Sequence, residues 1–404
     1  MSSSKTVKPL MFLMAVNIVV AGLSYFLTIS LANFFGPNQF GIYSQILILG
    51  ALLSLLIKFG TEQTATARFV GIANSSHVFS NVYTIKLLTT ILCVLGLFLF
   101  QAPNYIVIGC VILAVLKNFD LSFYYEIKGK NERYSLICLA EKLAYVAGAF
   151  ALIFFGYSEL LGYFLLLGVI TLLGLIFQLA DAEHYKDFEL SNCTKGLYAY
   201  IIESLPVTVV ALSAFAFGGL SRLILEHKLG AEALGIYSLG WQLITIGSIF
   251  VSVVYRIWRL RFAEAINSGE ISILLYHLRT YALFAVFPLT VLCLAIGSNG
   301  DNIVRLLFSE EYASLSELLP LLAVYIFLIS IAGLLEMLWV ATGKTNVSMV
   351  INLSFSIFLL VVLSELSDGF GIKDYLASSV LIHFGLILTL GIIWYVKFKG
   401  LFIK

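Results

Sequence analysis

The sequence predicts an all-α polytopic membrane protein with about twelve transmembrane helices, arranged as two parallel six-helix repeats around a central cleft. Three observations predict this fold class. The 404 residues are 60% hydrophobic and only 12% charged, whereas soluble domains carry about a quarter charged residues. Twelve apolar segments have the length of a membrane span. One nine-residue pattern occurs twice, about half the chain apart.

The apolar segments follow one another with no soluble domain between them. Each approaches the roughly twenty apolar residues that an α-helix needs to cross a bilayer. The sixth and seventh segments are separated by the polar stretch 181–198, which predicts an N-terminal six-helix bundle at 1–180, a cytoplasmic linker at 181–198 and a C-terminal six-helix bundle at 199–404. The twelve segments lie at about 10–33, 42–63, 81–100, 105–123, 134–155, 159–180, 199–221, 236–257, 276–297, 318–340, 345–363 and 374–396.

The repeated pattern predicts that the two halves are copies of one unit. It reads GPNQFGIYS at 36–44 and GAEALGIYS at 230–238, and each copy opens a long apolar segment. A second pair of anchors follows in the same order, since Tyr83-x-x-Lys86 matches Tyr276-x-x-Arg279. Six spans per half is an even number, so both halves enter the membrane from the same side and the repeats are parallel.

The charges predict the orientation and exclude several classes of partner. With the N-terminus inside, fifteen Lys and Arg residues fall on the cytoplasmic side and four outside, so the positive-inside rule places both termini in the cytoplasm. A net charge of +1 gives no basic face for a nucleic acid. The five cysteines are scattered without a Cys-x-x-Cys pair, which argues against a metal site or a disulfide framework. No cofactor is predicted.

The first outer turn, which runs from Asn33 through Gly36-Pro37 to Gly41-Ile42-Tyr43, resembles the signature of the polysaccharide flippases of the multidrug/oligosaccharidyl-lipid/polysaccharide (MOP) exporter superfamily. The second copy resembles that family's turn before the eighth helix. The likeness runs over nearly the whole chain and is closest to bacterial O-antigen flippases of the Wzx type.

This resemblance implies a flippase that translocates undecaprenyl-pyrophosphate-linked O-antigen repeat units from the inner to the outer leaflet of the cytoplasmic membrane by alternating access. The implied partners are that lipid-linked oligosaccharide, membrane lipid, and the O-antigen polymerase and chain-length regulator. The implied location is the bacterial inner membrane, with many spans and no catalytic residues.

Basic residues within or beside the segments are candidates to hold the pyrophosphate, because a charge in a transmembrane segment costs several kcal/mol unless it is paired or faces water. The resemblance implies a cleft lined by the first, second, seventh and eighth helices. Lys58, Arg222 and Arg256 lie on those helices, and Arg259 shares a face with Arg256.

Two further cations, Lys86 and Arg279, occupy repeat-equivalent positions on the third and ninth segments. Both also fit a role as inner-face anchors, which duplication alone would leave in place. The other cations have a structural alternative as well: Lys58 with Glu62, Lys117 with Asp120, and Arg222 with Glu226 are spaced to form ion pairs along one helix.

Three acidic residues lie inside segments and are candidates for ion coupling: Glu141, Glu203 and Glu336. Each also fits a structural hydrogen bond.

Two other functions compete with the flippase. A cation-coupled drug or small-molecule antiporter of the same superfamily usually carries an acidic residue in its first helix, and none lies there. An O-antigen polymerase or ligase would need a large outer catalytic loop, whereas the longest outer loop, 298–317, has no histidine or cysteine.

Overall fold

The computed structural model describes residues 4–62, 64, 76–99, 104–127, 130–181, 197–342, 344–367 and 369–398, and over these ranges every regular element is helical. The predicted linker at 181–198 lies, except at its ends, outside the described residues. The side chains of Arg256 and Arg259 also lie outside them, although the backbone there belongs to a described helix.

Long helices follow one another along the chain, and three of them contain or continue into a π-helical turn. The α-helices in chain order are α1 (Ser4–Lys58), α2 (Ser76–Leu99), α3 (Asn104–Val111), α4 (Ser122–Ile127), α5 (Asn131–Phe154), α6 (Leu160–Asp181), α7 (Leu197–Phe215), α8 (Ser221–Ser268), α9 (Ile271–Tyr281), α10 (Phe287–Ser298), α11 (Gly300–Leu307), α12 (Leu315–Ala341), α13 (Thr345–Glu365) and α14 (Ile372–Phe398). The π-helical turns are Ile112–Leu116, Ala216–Leu220 and Ala282–Val286.

Nine stretches in the described residues are long and apolar enough to cross a membrane. Two of them, Ile18–Lys58 and Leu197–Thr245, hold two segments each, because the helix is interrupted at Gly36 and at Gly230. The shorter apolar helix Tyr105–Leu116 completes the twelve. The prediction of an all-α membrane protein with about twelve spans is confirmed.

The outer surface of the helix bundles is apolar. Leu92, Leu173 and Leu381 are 68%, 60% and 70% exposed. A surface of this kind suits lipid, which leaves backbone groups satisfied only within helices. Small polar side chains such as Ser204 and Ser356 are instead buried between helices. The Oγ of Ser356 donates to the carbonyl of Ser213 at 3.0 Å, and the Oγ of Ser204 donates to the hydroxyl of Thr64 at 3.1 Å, as polar residues at helix interfaces in membranes commonly do.

The described helices form two compact units. The first comprises Met1–Phe35 with Tyr43–Leu212, and the second comprises Gly36–Ile42 with Ser213–Lys404. Most of α7, residues 197–212, therefore packs with the N-terminal helices. The hydroxyl of Tyr200 explains this placement, since it donates to the carbonyl oxygen of Thr61 at 2.7 Å.

The two copies of the repeated pattern have the same backbone geometry. Gly36 has φ 71° and ψ 172°, and Gly230 has φ 86° and ψ 175°, a region of backbone space that is essentially restricted to glycine. Within the second unit the copies also touch reciprocally. A Cβ on Gly41 would overlap the carbonyl of Ala231, and a Cβ on Gly235 would overlap the carbonyl of Pro37. Glycine is therefore needed here for close backbone approach as well as for the turn.

Candidate functional site

The predicted site residues fall into two groups within the described structure. Lys58, Lys86 and Glu141 lie in the first unit, and Arg222 lies in the second. The two lysines of the first group share a carboxylate partner, whereas the guanidinium of Arg222 packs on an aromatic ring. Each group is built by side chains from several helices.

Glu62 binds both lysines of the first group. Its Oε2 lies 3.2 Å from Nζ of Lys58, and its Oε1 lies 2.6 Å from Nζ of Lys86. The first contact confirms the predicted pair of Lys58 with Glu62, four residues apart. The second joins residues on different helices, so spacing along one helix could not reveal it.

Lys86 is enclosed. Its side chain is 0% exposed, and its ammonium also donates to the backbone carbonyl of Asn118 at 2.7 Å. The rings of Tyr83 and Phe123 lie 5.5 and 5.4 Å from the ammonium. A fully paired and enclosed cation has no face for a ligand, so the structure places Lys86 in the core of the first unit and not at a binding surface.

Asn118 connects Lys86 to the part of α1 that follows Gly36. Its Oδ1 accepts a hydrogen bond from Oγ of Ser54 at 2.6 Å, and its amide donates to the carbonyl of Ala114. Asn118 follows the π-helical turn Ile112–Leu116. Such turns disturb the regular i→i−4 ladder and occur often at functional sites.

A cavity of about 340 Å³ adjoins the cluster. Lys58, Lys117, Asp120 and Glu141 line it, so it carries two cations and two carboxylates. The predicted ion pair of Lys117 with Asp120 does not form within the described residues. Asp120 instead accepts hydrogen bonds from the hydroxyl of Tyr134 at 2.8 Å and from Oγ of Ser122 at 3.0 Å.

Arg222 is a half-buried cation of the second unit. Its Nε donates to the carbonyl of Gly218, and its Cζ lies 5.4 Å from the centre of the Trp241 ring. Within the residues that the structure describes, Arg222 forms no ion pair, so the predicted pairing with Glu226 is wrong. The reason is that the guanidinium turns toward Trp241 and the π-helical turn Ala216–Leu220.

Aromatic side chains hold Trp241 in place. Its ring is stacked on Tyr237 at 6.4 Å and lies edge-on to Tyr325 at 5.4 Å. The hydroxyl of Tyr325 donates to the carbonyl of Phe217 at 3.1 Å. The guanidinium therefore rests on an aromatic platform. The sequence did not predict it, because Trp241 lies 19 residues after Arg222, beyond the interruption at Gly230, and Tyr325 comes from α12.

The three remaining candidates whose side chains are described lie on α7, α9 and α12. Arg279 is exposed on α9, although its repeat counterpart Lys86 is fully buried. Glu203 is exposed on α7. Glu336 is half-buried on α12 beside Asn352 of α13.

The chain matches a known protein family over more than half of its length. A sequence profile of the polysaccharide biosynthesis protein family matches residues 7–256. The amylovoran biosynthesis protein AmsL of Erwinia amylovora is 31% identical over 144 residues, which are 35% of this chain. The aligned region spans only 37% of the length of that relative.

Solved structures of transporters share the fold. An inward-facing multidrug resistance MATE family transporter of the MOP superfamily superposes with a TM-score of 0.70 at 14% identity, covering 96% of this chain and 98% of that one. The lipid II flippase MurJ, in an inward closed conformation, superposes with a TM-score of 0.72 at 12% identity, covering 96% of this chain and 87% of that one. At these identities the likeness shows the fold.

Proposed function

The chain belongs to the polysaccharide biosynthesis protein family, and we propose that it is a flippase for undecaprenyl-pyrophosphate-linked O-antigen repeat units. It moves them from the inner to the outer leaflet of the bacterial cytoplasmic membrane by alternating access, with both termini in the cytoplasm. The family membership and the MOP transporter fold support a transporter of a polysaccharide precursor. The O-antigen polymerase and the chain-length regulator are the proposed partners that receive the translocated unit.

The observation that supports a pyrophosphate site is the lack of an acidic partner for Arg222 within the described residues. A cation within a membrane span is costly unless it is paired or faces water, yet Arg222 has no acidic partner in the described part of the chain. A guanidinium has five N–H donors, and the carbonyl of Gly218 takes only the one on Nε. The fork of four remaining N–H groups suits two phosphate oxygens at once.

The other cations take supporting places in this proposal. Lys58 keeps 34% of its side chain exposed, and its carboxylate partner is shared with a second lysine, so the trio carries one net positive charge. Such a surplus attracts an anionic headgroup over several ångströms. Arg256, Arg259 and Arg279 are proposed to extend the basic path on α8 and α9.

Coupling to an ion is proposed to use a carboxylate of the membrane helices. Glu141 is half-buried and accepts one long hydrogen bond from Gln178, at 3.4 Å. Glu336 is half-buried beside an amide, and Glu203 is exposed. A carboxylate that is only partly satisfied can take up a proton or a sodium ion during the transport cycle.

Deletion of the gene tests the proposed function. We expect surface O-antigen to disappear while the lipid-linked repeat unit accumulates in the inner leaflet, and a plasmid copy should restore the surface polymer. Normal polymeric O-antigen in a deletion strain without a second flippase would contradict the proposal. A strain that instead becomes sensitive to cationic drugs would point to the antiporter.

A further inference from the structure

The cavity of about 340 Å³ in the first unit has a polar lining in a part of the chain that is otherwise apolar. Its principal polar residues are Lys58, Lys117, Asp120, Tyr134, Glu141 and Gln178. Glu141 lies ten residues into α5, or about 15 Å along the helix axis. Polar and ionisable groups at such depth are expensive and usually mark a substrate path.

Part of this lining is held rigidly. The Oε1 of Gln178 accepts from the backbone N–H of Leu121 at 3.0 Å, and Asp120 accepts from Tyr134 and Ser122. The first bond joins Leu121 to α6 and the bond from Tyr134 joins Asp120 to α5, so these two hold the walls of the cavity together, whereas the bond from Ser122 is local. A site whose polar groups are fixed before the ligand arrives loses less freedom on binding.

Two other lining groups are open. Lys117 is exposed to the cavity and forms no ion pair within the described residues. Glu141 accepts a single bond on Oε1, from Gln178 at 3.4 Å, and its Oε2 has no hydrogen-bond donor in the described part of the chain. The cavity therefore offers a cationic donor and an anionic acceptor whose hydrogen-bonding capacity is not filled within the described residues.

The balance of charge decides what such a cavity favours. A phosphate would face two carboxylates, and a metal cation would face two ammonium groups, so neither ion gains on balance. A sugar hydroxyl both donates and accepts, and can bond to either kind of group. The volume lies near the lower end of the range for ligand pockets, about 300–1,000 Å³, and suits one or two sugar rings and not a whole repeat unit.

We propose that this cavity binds a sugar of the transported oligosaccharide, with Lys117 and Glu141 as the residues that select it. The inference rests on the proposed function and adds a saccharide subsite separate from the cation at Arg222. A site built to bond a hydroxyl discriminates strongly against a sugar that lacks it, because its polar groups are then left unpaired.

Direct binding tests the inference without transport. The full-length protein in nanodiscs is mixed with the monosaccharides released by acid hydrolysis of the surface polysaccharide of the host, and saturation-transfer NMR detects the bound sugar. We expect a signal from at least one neutral sugar, reduced at least about tenfold in Glu141→Gln and in Lys117→Met. Glu132→Gln is the matched control, since Glu132 is exposed on the same helix.

Failure of the inference and failure of the proposed function give different results. The inference is overturned if no released sugar gives a signal, if both variants bind as the wild type does while keeping its melting temperature, or if inorganic phosphate displaces the sugar. Glu141→Asp keeps the charge and shortens the reach, so it serves if Glu141→Gln does not fold. Failure of the proposed function would appear instead as loss of flipping of the lipid-linked unit by the wild-type protein.

Discussion

Replacement of Arg222 tests whether a free guanidinium holds the pyrophosphate. In Arg222→Ala the fork on Trp241 disappears, and with it the bonds to phosphate oxygens. One hydrogen bond to a charged group contributes about 1.5–3 kcal/mol, which corresponds to a loss of about 10- to 150-fold in apparent affinity. The apparent affinity of Arg222→Lys should fall between those of wild type and Arg222→Ala, because an ammonium acts as a point charge and cannot form the paired bonds.

The assay is translocation of the lipid-linked repeat unit in proteoliposomes, with apparent affinity and turnover measured separately. Arg261→Ala is the matched control: the Cζ of Arg261 lies 4.8 Å from the Trp258 ring, but this side chain is exposed. We expect the control to stay within about twofold of wild type, as exposed substitutions usually do.

Two results would refute the reasoning about Arg222. One is wild-type affinity in Arg222→Ala at an unchanged melting temperature. The other is a loss of activity that follows a fall in melting temperature and is equal in the alanine and lysine variants, which would indicate that the cation on Trp241 supports the fold. An exchange of charge between Arg222 and Glu226 should not restore transport, because these two residues do not pair in the structure.

Three further predictions concern the fold. Glu62→Gln should lower the melting temperature in detergent, since removing one partner of a buried ion pair costs up to about 3–5 kcal/mol. Adding Lys86→Met to this variant should restore much of the lost melting temperature. An unchanged melting temperature in Glu62→Gln alone would argue against the pair. Gly41→Ala should reduce the yield of folded protein in membranes, because its Cβ would meet backbone, whereas Gly22→Ala has open space around it and should be neutral; equal yields would exclude the close contact. Reporter fusions within 298–317 should report the outer side, and activity of a cytoplasmic reporter there would reverse the orientation.

Much of the fold could be predicted from the sequence, and part of the site could not. The pair of Lys58 with Glu62 was predicted from a spacing of four residues, and it forms even though α1 ends at Lys58 and a turn with positive φ angles at Phe59 and Gly60 follows. The bond of Lys86 to the same carboxylate was not, since it joins residues 24 apart in the chain. The same spacing rule that found Lys58 with Glu62 failed for Arg222 with Glu226, where an aromatic ring from a later turn of α8 competes for the guanidinium.

The number of membrane spans and the two glycine turns follow from the amino-acid sequence, because a span depends on about twenty consecutive apolar residues and a backbone angle depends on one residue. Tertiary structure decided which cations are neutralised and which remain open. Glu62 neutralises the buried Lys86, and Trp241 turns Arg222 away from its neighbouring acid. Ion pairs form only over a few ångströms in space, and the packing of helices brings such groups together.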